Sequence, residues 1–399
     1  MSETGRYRWY ALVVTTFTQA ASAAVIAAIG PLAPLLQQDF GISRAQVGLV
    51  QGAIYLSSTA FSLLGGVLAD RVGERRVLML SGAVAGIGSL AVTGVWAFAA
   101  LIGVALLIGV GTGMQNPAGS AAVMRWFPPR RRGVAMGIRQ TGVPLGGVLA
   151  ATLAPLAAAA WGWRSAYLLA GLMALVGVGL IAVSYFDPVR PSGASAESAM
   201  SIRTLARDRR LWLIAIVYNG QIVAQYAVTV YLVLFLHEAI GLTLVAAASM
   251  LALVNVAAIA ARIGWGIVSD NLFGGARRPA LILVIVLTFG SMLFAAALPA
   301  GASPALVVLL ALMLGAAAYA WTGLYGALTV EAVGARSAAT AVAWVHVLGG
   351  LGSFGGAPFF GFVVDRTGSY RVGWLVAAGI VALGLVAALR IRERAAYSA

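Results

Sequence analysis

Two arginines lie within long stretches of the sequence that are otherwise uncharged, and both have the chemistry to bind an anion. Arg262 lies eight residues before Asp270, which corresponds to about 12 Å along a helix. Arg139 lies seven residues after Arg132, which corresponds to about 10 Å. A guanidinium group donates two parallel hydrogen bonds to a carboxylate. The two positions therefore predict a binding site for a small anion, a carboxylate above all.

The charge balance of these apolar stretches favours an anionic ligand. All twelve acidic residues lie at predicted helix ends or in loops. A charged side chain at the centre of a bilayer costs about 2.5–3.5 kcal/mol on insertion scales. A bound anion would offset that cost, whereas a lipophilic cation would not. Two alternative roles stay open: Arg262 as a packing residue bonded to backbone carbonyls, and Arg139 as a side chain that extends to the cytoplasmic surface.

Other polar side chains are candidates for lining the same site. Asn255 and Gly266 share the helical face of Arg262. The remaining candidates for contact with a substrate are Gln19, Gln115, Tyr218, Gln221, Tyr319 and His346. Each has an alternative role in hydrogen bonds between helices, because polar groups buried in a membrane need partners. Three aromatic side chains would stack on an aromatic substrate, with anchoring at the membrane interface as the alternative: Trp321, Tyr325 and Trp344.

The sequence offers no catalytic or metal-binding pattern. Two histidines and no cysteine leave no spacing typical of a metal site. The run from Gly350 to Gly355 matches the dinucleotide fingerprint, but it lies in an apolar stretch with no preceding strand. We therefore expect a protein that is not an enzyme and that holds no metal and no cofactor.

The composition identifies the environment in which these residues act. Hydrophobic residues make up 61% of the 399 residues and charged residues 10%, against about 45–50% and 25% in soluble domains. This composition excludes a soluble enzyme. The net charge of +14 comes from 26 basic residues, all of them arginine. Their alternating distribution is typical of a membrane protein and not of a face that binds nucleic acid.

The hydropathy pattern predicts twelve membrane-spanning helices. They cover residues 9–37, 45–69, 77–96, 99–124, 133–158, 165–186, 210–236, 243–269, 279–298, 304–330, 338–364 and 372–390. With the N-terminus placed in the cytoplasm, inside segments hold 20 arginines and outside segments hold 4. This asymmetry predicts a multi-pass protein of the inner membrane with both termini in the cytoplasm. The first apolar run exceeds the 7–15-residue core of a cleaved signal, so we expect the first helix to be retained.

A polar segment divides the chain into two similar halves. Residues 187–209 are predicted to form a cytoplasmic linker between a bundle of six helices over 1–186 and another over 210–399. The pattern Gly66-(three residues)-Asp70 recurs at an offset of 200 as Gly266-(three residues)-Asp270. Parallel repeats with a binding site at the midplane between them are a known transporter plan. The predicted fold is an all-α membrane protein with two pseudo-symmetric bundles of six helices.

The loop between the second and third predicted helices, Gly66 to Arg76, resembles the signature loop of the major facilitator superfamily. The resemblance implies transport by alternating access, with this loop as a cytoplasmic gate. In this interpretation Gly66 permits close helix approach, Asp70 pairs with a basic residue or a helix end, and the basic residues anchor the loop at the membrane surface. The implied gating residues are Gly66, Asp70, Arg71, Gly73 and Arg75, with Gly266 and Asp270 in the second half. Glu74 stands where the family usually has a basic residue, and the second copy of the motif is degraded.

The position of Arg262 resembles that of the anion-binding arginine in oxalate/formate exchangers and monocarboxylate porters. The fifth and eighth helices adjoin in this family, so the resemblance implies that Arg139 and Arg262 hold one anion. Departures from these branches include Ser62, where nitrate porters have a second arginine, and Ala258, where monocarboxylate porters often have an acid. His346 is the nearest basic candidate to the helix-eleven lysine of oxalate exchangers.

We therefore expect a monomeric secondary transporter in the lipid bilayer that moves a small organic anion, with a proton or a counter-anion as co-transported partner. Two alternatives stay open. One is a drug or metabolite efflux transporter, which the lack of a buried acid disfavours. The other is a transporter of inorganic anions such as cyanate or nitrite. A membrane sensor is disfavoured because the short linker and tails leave no room for a signalling domain.

Overall fold

The computed structural model of the protein describes residues 3–187, 202–333 and 338–391. These residues form seventeen α-helices and one short 3-10 turn, with no strand. The helices are α1 (Glu3–Ala27), α2 (Ile29–Phe40), α3 (Arg44–Val72), α4 (Glu74–Ala91), α5 (Phe98–Trp126), α6 (Pro129–Gln140), α7 (Gly142–Trp161), α8 (Arg164–Ser184), α9 (Ile202–Arg207), α10 (Arg209–Glu238), α11 (Leu244–Leu272), α12 (Arg277–Ala297), α13 (Pro304–Ala317), α14 (Thr322–Val333), α15 (Ala338–Leu348), α16 (Gly350–Thr367) and α17 (Tyr370–Arg390).

Twelve helical segments in the described part of the chain are long and apolar enough to cross a membrane. They correspond one to one with the twelve predicted helices, so the all-α membrane fold is confirmed. Eight spans are single helices, and four are interrupted pairs: α1–α2, α6–α7, α13–α14 and α15–α16. The short helix α9 lies outside the spans, within the segment predicted to be a linker, and its Leu205 is fully buried.

Proline accounts for two of the four interruptions. A proline has no N–H to donate to the carbonyl four residues earlier, and its ring clashes with that carbonyl. Pro31 therefore leaves the carbonyl of Ala27 without its helical donor, and the first span breaks at Ala28. Pro144 does the same for Gln140, and the fifth span breaks at Thr141.

The chain divides into two compact units. Unit 1 comprises Met1–Pro191 together with Thr243–Ala252, and unit 2 comprises Ser192–Leu242 together with Leu253–Ala399. In unit 1, α3 packs along α5, α4 packs against α5 and α8, and α1 packs against α7. In unit 2, α10 packs against α16 and α17, and α12 packs against α17. Each unit therefore has its own helical core.

Glycines permit the tight packing of α3 against α5. A Cβ atom on Gly109 would lie 2.0 Å from the Ser57 Oγ and 2.2 Å from the Ile54 carbonyl oxygen. A Cβ on Gly113 would lie 2.3 Å from the Ser58 carbonyl oxygen. Small residues at such positions let two backbones approach closely within a membrane.

We predict that Gly109→Ala destabilises the protein by about 1–3 kcal/mol, because the added methyl group overlaps backbone atoms of α3. The measurement is the unfolding temperature of the detergent-purified protein. Gly103→Ala is the matched control on the same helix, since a Cβ atom added there would have no atom within 4 Å. Equal unfolding temperatures for the two variants would contradict the packing described above.

Candidate functional site

Arg262 lies on α11 beside the interruption of the tenth span. The chain leaves helical geometry over residues 318–321, between α13 and α14. Arg262 Nε donates to the Tyr319 carbonyl oxygen at 3.1 Å, and the indole N–H of Trp265 donates to the Ala316 carbonyl oxygen at 2.7 Å. Carbonyls at a helix end have lost their helical donors. Two side chains of α11 therefore supply donors at this break, and the Nε contact orients the guanidinium plane of Arg262.

An aromatic cluster lies next to the same break in unit 2. The ring of Tyr218 lies 5.2 Å from Trp321, 5.1 Å from Tyr325 and 5.2 Å from His346, measured between ring centroids. Trp321 is fully buried, whereas His346 is exposed. Gly349 lies at the break between α15 and α16, where a Cβ atom would lie 2.1 Å from the Tyr218 ring. The glycine therefore makes room for Tyr218 at the centre of the cluster.

Four further polar side chains lie on α10 or at the same helix break as this cluster. Gln225 accepts a hydrogen bond from the indole N–H of Trp321 at 3.1 Å. One turn earlier on α10, Gln221 is 1% exposed, and neither atom of its amide has a hydrogen-bond partner among the described residues. The Tyr319 hydroxyl lies 2.5 Å from the Thr229 hydroxyl. The predicted residues Tyr218, Gln221, Tyr319, His346 and Arg262 thus lie in unit 2, as does the buried Asn255.

Arg139 lies at the end of α6 in unit 1, and its side chain is 0% exposed. Its Nη1 donates to the side chains of Asn116 at 3.1 Å and Ser120 at 3.3 Å, and its Nη2 donates to the Gln115 carbonyl at 3.2 Å. Its Nε has no hydrogen-bond partner. The sequence left open whether the Arg139 side chain extends to the cytoplasmic surface. The structure shows that it does not, because the side chain is buried.

Gly119 makes the burial of Arg139 sterically feasible. A Cβ atom at this position would lie 2.2 Å from Arg139 Nη2 and 2.5 Å from Nε. The guanidinium group consequently lies flat against the backbone of α5. All of the hydrogen-bond acceptors described for it are neutral oxygens. They satisfy donors of the guanidinium group but leave its positive charge uncompensated.

Gln115 and Gln19, which the sequence predicts to contact substrate, form hydrogen bonds between helices of unit 1. The Gln115 side chain donates to the Thr18 hydroxyl at 3.0 Å and accepts a hydrogen bond from the Ser81 hydroxyl. It thereby links α1, α4 and α5. Gln19 donates to the Gln140 side chain at 3.3 Å, while its own carbonyl oxygen is buried without a partner. Arg139, Gln115 and Gln19 all lie in unit 1.

The predicted gating loop carries an acid–arginine–acid cluster. Arg125, at the end of α5, lies 3.0 Å from the Asp70 carboxylate and 2.5 Å from the Glu74 carboxylate. Glu74 is fully buried at the first position of α4, where a negative charge interacts favourably with the helix dipole. Sequence reasoning singled out Glu74 as a departure from the family motif but missed its partner, Arg125.

Gly73 is required both by its backbone conformation and by a close neighbour. Its φ angle is +99°, and a Cβ atom would lie 2.2 Å from Asp187 Oδ2. The same Asp187 carboxylate accepts a hydrogen bond from the backbone N–H of Arg75 at 2.9 Å. Asp187 therefore caps the start of α4, a role that the interpretation of residues 187–209 as a linker missed.

Side-chain contacts of Arg75 tie α4 to the end of α8. Its guanidinium group donates to the Ala182 carbonyl oxygen and lies 5.8 Å from the centre of the Phe186 ring. Tyr185, just beyond α8, is also buried. Burial, followed by the negative charge of Glu74, raises the pKa of the Tyr185 hydroxyl above its usual range. Arg71 is exposed at the end of α3.

Two expectations about the motif need correction. The close approach of α3 to α5 occurs at Gly65, where a Cβ atom would lie 2.6 Å from Met114 Cα; the nearest atom to one on Gly66 is 3.7 Å away. The helix face that carries Gly66 is therefore turned away from the tightest contact. Gly266 has no atom within 4 Å of its Cβ position.

The second copy of the motif, although degraded in sequence, keeps the charge pairing with exchanged residue types. Arg277, at the start of α12, lies 2.6 Å from the Asp270 carboxylate and 3.6 Å from the Glu331 carboxylate. In unit 1 the glutamate starts the third span and the arginine ends the fourth. In unit 2 the arginine starts the ninth span and the glutamate lies near the end of the tenth. Both units therefore join three spans through one acid–arginine–acid cluster.

Within the described residues, no three His, Cys, Asp or Glu side chains are placed to hold a metal ion.

Comparison with known proteins identifies the relatives of the chain. A family model for the Major Facilitator Superfamily matches residues 15–357. A probable sulfoacetate transporter of Cupriavidus necator is 26% identical over 382 residues, covering 91% of this chain and 89% of the relative. A hexuronate transporter of Bacillus subtilis is 22% identical, with the same shares covered. The structure of a bacterial homologue of the human lysosomal transporter Spinster superposes with a TM-score of 0.79, at 17% identity, over 98% of this chain and 99% of that one.

We predict that Arg125→Gln lowers the free energy of unfolding by about 1.5–3 kcal/mol, because it leaves the buried Glu74 carboxylate without its cation. Asp70→Asn is the matched control, since the Asp70 side chain is 74% exposed. We expect it to change stability by about 0.5 kcal/mol or less. Both values come from thermal or denaturant unfolding of the purified protein.

A second substitution tests why Arg125→Gln lowers the free energy of unfolding. Adding Glu74→Gln to Arg125→Gln removes the unpaired charge and should restore part of the stability. A double variant that is less stable than Arg125→Gln alone would contradict this explanation.

Proposed function

The chain belongs to the major facilitator superfamily, and we propose that it is a secondary active transporter that moves a small organic anion by alternating access. A carboxylate is the preferred form of that anion. The full-length relatives support this class, since their names describe carriers of sulfoacetate and hexuronate, both small organic anions. The proposed location is the inner membrane, with both termini in the cytoplasm.

One observation carries the proposal: two guanidinium groups lie within apolar spans and donate to neutral oxygens. Arg262 donates to the Tyr319 carbonyl. Arg139 is completely buried and donates to an amide, a hydroxyl and a carbonyl. The acceptors described for Arg139 satisfy its hydrogen bonds without cancelling its charge, so an organic anion would complete the electrostatic balance of that group.

In this proposal Arg262 is the main anchor for the carboxylate. Its Nε contact with Tyr319 orients the guanidinium fork, which suits the planar geometry of a carboxylate. The adjacent cluster of Tyr218, Trp321, Tyr325 and His346 would contact the carbon skeleton of the substrate. Arg139 supplies the second positive charge, supported by Gln115 and Gln19, and Asn255 and Gln221 supply polar contacts.

The proposed gate is the signature loop and its second-half counterpart. Gly73 and Arg75 fix the start of α4 through Asp187, while Asp70 and Asp270 pair with arginines of neighbouring helices. Gly66, Arg71 and Gly266 complete the proposed gating set. Exchange of one anion for another, or uptake with a proton that the substrate carries, requires no proton-carrying carboxylate of the protein, and the buried Glu74 is paired with Arg125.

We predict that one class of carboxylate stabilises the purified protein in a thermal-shift panel of mono- and dicarboxylates, aromatic acids, nitrate, cyanate, sugars and lipophilic cations. A ligand at 100 times its Kd stabilises by about 2.7 kcal/mol if it binds only the folded state. Matched pairs of aromatic and aliphatic acids test the role of the aromatic cluster. Stabilisation by cations alone would contradict the proposal and favour an efflux transporter, whereas stabilisation by cyanate or nitrite alone would favour an inorganic anion.

We predict that Arg262→Ala weakens binding of the stabilising carboxylate by roughly 10–100-fold, the equivalent of about 1.5–3 kcal/mol for hydrogen bonds to a charged group. Arg262→Lys keeps the charge but loses the fork, so its affinity should be intermediate. The measurement is the ligand dependence of the unfolding temperature, followed by uptake into proteoliposomes.

Trp265→Phe is the matched control, because it removes a hydrogen bond to the same helix break and leaves Arg262 in place. If Arg262 only supports the break, Arg262→Ala and Trp265→Phe will lose stability and keep full ligand affinity. If Arg262 binds substrate, only the arginine variants will lose affinity.

We predict that Arg139→Gln raises the Kd for the same carboxylate, because it removes the second positive charge. Thermal shifts and uptake are measured as above. A variant with altered expression or unfolding temperature and an unchanged Kd would assign Arg139 to helix packing alone.

A further inference from the structure

Unit 2 contains a second basic cavity, away from Arg262 and its aromatic cluster. The cavity has a volume of about 830 Å³ and lies where α10 and α12 begin and α17 ends. Its polar lining consists of four arginines and one acid: Arg209, Arg210, Arg278, Arg390 and Asp208. The local charge is therefore strongly positive.

Three of these four arginines have guanidinium groups that are not used in bonds within the described part of the chain. Within the described part of the chain, the guanidinium groups of Arg209, Arg210 and Arg390 form no hydrogen bond and no ion pair. No ion pair joins Asp208 to these arginines among the described residues, and its carboxylate accepts a hydrogen bond from the backbone N–H of Arg210 at 2.8 Å and caps α10. The cavity thus presents free donors to a ligand.

The fourth arginine holds the walls of the cavity together. Arg278 Nε donates to the Ala388 carbonyl at 3.1 Å, and its Nη2 donates to the Leu389 carbonyl at 2.7 Å. These bonds tie the start of α12 to the last turn of α17. The carbonyls of Ala388 and Leu389 are thereby satisfied, and the side-chain donors of the lining outnumber its one acidic acceptor, Asp208.

The apolar part of the lining suits a ligand with a hydrocarbon portion. Leu213, Leu389 and Ile391 complete the wall, and Leu389 is 55% exposed. Guanidinium groups match the geometry of phosphate oxygens and bind them in pairs. Basic pockets between transmembrane helices are suited to the headgroups of anionic lipids.

Unit 1 has an arginine-lined cavity at the position that corresponds to the cavity of unit 2. A cavity of about 710 Å³ lies beside the start of α4 and the end of α8, lined in part by Arg71, Arg75 and Arg76. There the Asp187 carboxylate lies against the backbone of Gly73 and Arg75. Each cavity thus has one carboxylate in its lining, and each of these carboxylates accepts a hydrogen bond from a backbone N–H at the start of a helix.

We propose that the arginine cavity of unit 2 binds a phosphate group, carried either by the headgroup of an anionic lipid or by a soluble phosphate ester. The site is separate from the transport site, and its occupation would hold the first turn of α10 and α12 to the end of α17. The exposed side chain of Leu389 in the wall favours the lipid as the source.

Native mass spectrometry of the full-length protein tests the proposal. The protein is titrated in detergent with dioleoylphosphatidylglycerol, with dioleoylphosphatidylcholine and with sn-glycerol 3-phosphate. The test variant is Arg210→Gln/Arg390→Gln, which removes two of the three arginines whose guanidinium groups are not used in bonds within the described part of the chain. The matched control is Arg366→Gln/Arg371→Gln, which removes two arginines of the same unit at the opposite end of α17.

We expect phosphatidylglycerol to bind at least about tenfold more tightly than phosphatidylcholine, and the cavity variant to lose that preference while the control keeps it within about twofold. Cavity-dependent binding of glycerol 3-phosphate without lipid preference would support the site with a soluble ligand. Equal binding of both lipids with no binding of the phosphate ester, or equal losses in the two variants, would overturn the proposal. Unfolding temperatures of both variants without ligand separate loss of folding from loss of binding.

Discussion

The hydrocarbon interior of a membrane offers no water to the peptide backbone, so a carbonyl freed by a broken helix must find a donor within the protein. The break in the tenth span is the clearest instance. Ala320 N–H donates to the Ala317 carbonyl, and α11 supplies Trp265 for the Ala316 carbonyl and Arg262 for that of Tyr319. The requirement to satisfy backbone groups thereby places a guanidinium group beside an aromatic cluster. Arg262 is therefore both a hydrogen-bond donor that supports the helix break and the candidate substrate-binding residue.

The same solvent constraint explains how the protein treats charge at different depths. At the helix ends, Arg125 and Arg277 each contact two carboxylates, and one acid of each cluster is largely exposed to water. Within the apolar part of unit 1, Arg139 is completely buried and is bonded to neutral oxygens. Burying a charge is costly unless it is paired and hydrogen-bonded. A site of this kind is where the binding of an anion yields the most electrostatic stabilisation.

The two halves of the chain keep the same pairing with different residues. Glu74 and Arg125 in unit 1 stand in the places of Arg277 and Glu331 in unit 2. An ion pair depends on opposite charges at a given distance and not on which helix supplies which sign. A search for matching residue types therefore overlooks the second cluster.

The sequence alone determined the twelve spans, since a bilayer of known thickness requires long uncharged apolar stretches and these stretches are contiguous in the chain. It also identified the signature loop and the two arginines in apolar helices. Only the tertiary structure decided what those residues contact. Arg125, Asp187 and Gly119 act through partners distant in the chain, and Gly65 rather than Gly66 makes the tightest approach to α5. Helical periodicity gives the face on which a residue lies, but the partner of that face depends on how helices pack in three dimensions.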